Sequence, residues 1–118
     1  MSKQEQISKR LENATRTLAN FEVKNANLSR RLHATRQSIA TLTERVAKKQ
    51  TRTDQIRQHP ATKQSTIDNN TKFIAKRSAQ LLRKKSECDS LEGRITTLVT
   101  KIEKKKKVVI ELTRKLTI

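Results

Sequence analysis

Four consecutive lysines, Lys104 to Lys107, stand inside the stretch KIEKKKKVVIELTRKL. Ammonium groups held in a row attract phosphates and carboxylates, and freeing the counterions of a phosphate backbone drives such binding. The rest of the chain leans the same way. Its 118 residues carry 28 Lys and Arg against 11 Asp and Glu, a net charge of +17. The partner this composition suits is anionic, either nucleic acid or an acidic protein surface. A small-molecule substrate is not expected.

Residues able to do covalent chemistry are scarce. Cys88 is the single cysteine, so it forms no internal disulfide. His33 and His59 lie far apart, and neither has a second metal ligand at helical spacing. One glycine cannot build a phosphate-cradling loop. The expectation is a non-enzymatic protein with no metal and no cofactor. The N-terminal MSKQEQISKRLE is polar, and no apolar run nears membrane-spanning length. The expected setting is intracellular, soluble or inside a large assembly, with nucleus and virion both open.

The elements that hold these cations must be deduced from periodicity. One Gly, one Pro, two Phe and no Trp or Tyr exclude an ordinary layered core. Counting heptads from Gln4 as position a, the a/d series from Ile7 to Ile56 has eleven apolar residues in fifteen, and so has the series from Ile67 to Leu116. Composition alone would give about a third. A seam this long and narrow is that of coiled-coil helices.

The two seams flank QHPATKQST, residues 58–66. Pro60 interrupts a helix, and Ser65 with Asp68 three residues later has the form of an N-cap. The expected fold is all-α: one elongated coiled-coil domain over residues 1–118, with helix 1 over about 3–58, a turn over about 59–65 and helix 2 over about 66–118. An antiparallel hairpin pairs residues whose numbers sum to 123. That sum matches Ile56 with Ile67 and Ile7 with Leu116, and it sets Thr53 beside Asn70, where the two could share a hydrogen bond. Seam cations Arg77, Lys84 and Lys105 then face Val46, Ile39 and Leu18, whose surface their stems can cover. The alternative is one continuous bent helix in a parallel coiled coil, because the heptad phase runs unbroken through Pro60.

On this frame the lysine run occupies positions c, d, e and f, between seam residues Ile102 and Val109. It reads as a solvated helix face, a polyanion contact or a nuclear-import label. The expected polyanion-binding set is Lys104, Lys106 and Lys107 with Lys101, joined by Arg10, Arg16, Lys24 and Arg31 of helix 1. The opposite flank of helix 1 carries Ala19, Ala26, Ala40 and Ala47. It reads either as a second packing surface or as plain helix-forming residues. Val99, Val108, Ile110 and Ile118 add apolar groups outside the seam of helix 2, which favours a homo- or hetero-oligomer. Asn25 at position a is a polar layer of the kind that fixes register and partner number. Phe21 and Cys88 read as core.

Two functions from different classes follow. One is sequence-nonspecific binding to a nucleic-acid backbone, without base stacking, since only Phe21 and Phe73 are aromatic. The other is a spacer, stalk or docking subunit of a capsid, filament or motor, seated on an acidic protein surface.

Overall fold

A computed structural model of the chain describes residues 2–59, 61 and 63–117. The chain is an all-α, antiparallel two-helix coiled-coil hairpin. Helix α1 runs from Lys3 to Arg57 and α2 from Gln64 to Thr117. No described helix is long and apolar enough to cross a membrane.

The chain forms two compact units. Unit 1 joins residues 1–31 to 91–118, and unit 2 is residues 32–90. In each, the heptad seam is the core. All thirty positions of the two a/d series are buried or half-buried. Outside them, Thr17, Ser38, Phe73, Ser78 and Gln80 alone among the described residues fall short of full exposure. Cross-helix contacts agree with the constant-sum register in both units. In unit 1 the Lys101 ammonium lies 6.0 Å from the Phe21 ring centre, beside the matched pair Phe21–Ile102. In unit 2 the Lys49 ammonium lies 5.1 Å from the Phe73 ring centre, beside Lys49–Ile74.

The many threonines within these helices satisfy their hydroxyls locally, and acid–base pairs add support. A mid-helix threonine hydroxyl turns back on the carbonyl four residues earlier, as Thr15 does on Leu11 at 2.8 Å and Thr113 on Val109 at 2.7 Å. Glu12–Arg16, Glu44–Lys48 and Glu111–Lys115 are pairs four apart with the acid first, the better order along a helix. The Glu44–Lys48 contact is the shortest, at 2.9 Å. Hydrogen bonding and attraction from the Lys48 ammonium hold the Glu44 carboxyl below its ordinary range.

The helix ends depart from expectation. Ser65 lies within α2 and is not its N-cap. Asp68 instead accepts a hydrogen bond from the Gln64 side-chain amide at 3.0 Å, and the Thr66 N–H closes the first turn on the Lys63 carbonyl. A side-chain cap does form on α1. The Glu5 N–H donates to the Ser2 hydroxyl at 3.1 Å, in the Ser-x-x-Glu pattern of a capping box. Pro60, the expected break, lies outside the described residues, as do Thr62 at the turn and Ile118. Helix α1 ends in tight i→i−3 bonds, Gln58 N–H to the Gln55 carbonyl and His59 N–H to the Ile56 carbonyl.

Two polar seam layers resolve in different ways. Thr53, only 1% exposed, donates to the Lys49 carbonyl of its own helix at 2.7 Å, not to the matched Asn70. Its hydroxyl lies within reach of the second lone pair of the i−4 carbonyl, so the local bond forms. In unit 1 the Asn25 Oδ1 is buried with no hydrogen-bond partner. An orphaned buried acceptor costs about 1–3 kcal/mol.

Candidate polyanion-binding surface

Each nominated cation sits on a helix face that the seam turns outward. Arg10, Lys24 and Arg31 occupy position g of α1, one step from the buried a row, and Arg16 occupies f. Lys101 is at g of α2, and Lys104, Lys106 and Lys107 are at c, e and f. All eight are solvent-exposed, and all eight belong to unit 1. Arg16 makes an exposed pair with Glu12 at 3.7 Å, of a kind that contributes little. Lys101 lies over the half-buried Phe21 ring, so its stem covers apolar surface while its charge faces water.

Two open depressions mark this unit. The first, of about 390 Å³, runs between the helices and is walled by Arg10, Asn13 and Thr17 of α1 and by Lys105, Val108, Glu111 and Lys115 of α2, over Ala14 and Leu112. The second, of about 460 Å³, continues over α1 between Gln6, Lys9, Arg10 and Asn13. Arg10 and Asn13 border both. Of the lysine run, only Lys105 enters the interhelical groove. Lys104, Lys106 and Lys107 stand on the outer face.

The sequence pattern had Lys105 in the basic run and in the seam, and it did not single out Lys115 or Asn13 for binding. The available signal was Ala14. It is a small residue at a d position, and it leaves space between the helices where a leucine would fill it.

The suggested second packing surface is open in the same sense. Ala19, Ala26, Ala40 and Ala47 are all exposed, and Val99, Val108 and Ile110 show 41%, 40% and 60% of their surface. Val23 at 60% and Leu82 at 70% are exposed apolar residues that the heptad analysis passed over. Cys88 is buried and unpaired, as core packing requires. Among the described residues no three of His, Cys, Asp and Glu gather as metal ligands.

Comparison with known protein families, curated proteins and solved structures gives no match.

Proposed function

We propose that the protein is a non-enzymatic structural coiled coil that binds a polyanion, namely a nucleic-acid backbone, without sequence preference. One observation carries this reading: the eight nominated cations are all exposed within a single unit. That unit, residues 1–31 and 91–118, holds 15 Lys and Arg against 6 Asp and Glu. Its acids cannot neutralise its cations one for one. Each phosphate neutralised by such a surface adds about 0.9 to the slope of log K against log salt.

Aromatic chemistry supports a backbone contact over base reading. Phe21 and Phe73 are the two aromatic residues of the chain. Both are half-buried with a cation over the ring, and neither offers a stacking face to a base.

The test is the affinity of the purified chain for two duplexes of equal length and different base composition across salt. Equal affinities that fall steeply with salt are expected. Absence of duplex binding at low salt would remove the nucleic-acid reading. A second reading, a spacer or docking subunit that packs on an acidic protein surface or on further helices, draws support from exposed Val99, Val108 and Ile110 beside the cations. It gains ground if the chain binds no duplex and sediments as an oligomer.

A further inference from the structure

The interhelical groove of unit 1 differs from the rest of the cationic surface in having a floor and two walls that both carry cations. Ala14 and Leu112, at 6% and 8% exposure, form the floor. Arg10 stands on one wall, with Lys105 and Lys115 on the other. The single acid of the lining, Glu111, is held by Lys115 at 3.7 Å. That leaves Arg10 and Lys105 as the two cations without an acid beside them in the groove. Lys105 is the only cation in the seam of this unit, and it is half-buried. The apolar floor beside it weakens its hydration and strengthens its attraction for an anion. Further along the facing wall, Arg10 supplies the planar fork that suits two oxygens of one phosphate.

We propose that this groove is the anchoring seat of the polyanion. Its backbone lies along the groove within reach of both Lys105 and Arg10, and passes on over Lys9 in the adjoining depression that Arg10 also borders. This rests on the nucleic-acid reading above and deepens it. The seat is open along its length, so it admits a passing polymer where an enclosed pocket would admit a small molecule. Lys104, Lys106 and Lys107 then act as outlying charge that raises local concentration. The seat also gives a reason for a lysine at a d position, where leucine would fold better.

The experiment is fluorescence anisotropy of the full chain with a labelled duplex of about 20 base pairs, between about 50 and 200 mM salt. Four variants are compared with the wild type. Arg10→Gln with Lys105→Gln removes the seat. Lys76→Gln with Lys85→Gln, both exposed in unit 2, removes equal charge elsewhere. Ala14→Leu fills the groove and leaves the net charge untouched. Lys105→Leu completes the seam.

The seat variant is expected to lose about tenfold more affinity than the unit 2 control, and its salt slope should flatten by about two contacts' worth. Ala14→Leu, with helicity retained, should weaken binding several-fold. Lys105→Leu should melt at a higher temperature and yet bind more weakly, which separates the seat from any folding defect. Equal losses in the two double variants would overturn the seat while leaving general duplex binding intact. So would a folded Ala14→Leu chain with wild-type affinity. Failure of the wild type itself to bind would reject the nucleic-acid reading, and the seat with it. Should Ala14→Leu unfold, the two double variants and Lys105→Leu decide the matter.

Discussion

The two units carry nearly the same charge on very different seams. Unit 1 has 15 cations and 6 acids, and residues 32–90 of unit 2 have 13 and 5. Both span 59 residues. Yet of fifteen seam positions in unit 1, only Asn25 and Lys105 are polar. In unit 2 six are: Thr35, Lys49, Thr53, Asn70, Arg77 and Lys84. Charge therefore does not distinguish the two units, and the polarity of the seam does. Unit 1 can hold a dense cationic surface and a groove because its seam is apolar enough to stay closed. Unit 2 must spend side-chain chemistry on accommodating its own seam cations.

Phe73 shows how that accommodation works. It sits at position g, outside the seam, and is nonetheless half-buried. The Lys49 ammonium and the Arg77 guanidinium lie 5.1 and 5.2 Å from its ring centre, and Arg77 also donates to the Gln80 side-chain oxygen at 2.9 Å. Two seam cations are thus gathered about one aromatic ring. Arg77 was expected to lie along Val46 with its head in water, and the ring gives the head a partner as well.

The largest expected effect tests whether the more apolar seam is also the more stable one. Leu91 of unit 1 is 1% exposed, and Leu81 of unit 2 is half-buried. Leu91→Ala should cost about 3 kcal/mol, and Leu81→Ala roughly half of that. Chemical denaturation followed by far-UV circular dichroism measures both. Native-state hydrogen exchange should show the amides of unit 2 opening at lower free energy than those of unit 1. Slower exchange in unit 2 would reverse the ranking.

Asn25 is the weak point of the better seam. Its buried Oδ1 lacks a partner. Asn25→Leu removes the orphaned acceptor and adds apolar burial, and should raise stability by about 2 kcal/mol. The same variant probes register. A polar layer that fixes one pairing should, once lost, allow more than one oligomeric state, which analytical ultracentrifugation would resolve. A stabilised chain of unchanged size would assign Asn25 a cost without a specifying role.

Phe73→Leu keeps an apolar side chain and removes the ring. About 0.5–1 kcal/mol is expected from each cation that loses its aromatic face. A double-mutant cycle with Lys49→Met isolates the Lys49 share, and a coupling near zero would reduce Phe73 to ordinary packing.

The fold was legible because a heptad reports burial directly: every seam residue it named is covered. Register was legible too, since a hairpin needs a constant sum and only one sum made both ends flush. The helix ends were not. Ser2–Glu5 and Ser65–Asp68 look alike as patterns, and only the first lies at a helix start. Side-chain direction was also hidden. Periodicity places Thr53 opposite Asn70, but the hydroxyl prefers a carbonyl of its own helix. The binding surface was legible as charge and not as shape. The groove depends on Ala14 being small, and a count of apolar seam positions gives alanine and leucine equal weight.

The smallest expected effect concerns acid. Glu44 in unit 2 pairs with Lys48 at 2.9 Å, while Glu12–Arg16 and Glu111–Lys115 in unit 1 are both 3.7 Å apart. Glu44 is the carboxyl held below its ordinary value of 4.5, first by the hydrogen bond from Lys48 and then by its charge. A folded-state value below the unfolded one means that the pair contributes stability above the unfolded value. That contribution is lost as pH falls through the lowered folded value. Being fully exposed, the pair is screened by solvent and salt, so the effect on melting should be slight. Carbon-13 NMR should place the Glu44 midpoint below the ordinary carboxylate value, and Lys48→Gln should move it back up toward that value. A Glu44 midpoint unchanged by Lys48→Gln would show that the close contact does not persist in solution. The two units would then be alike in their surface pairs as well as in their charge, and would differ only in the seam.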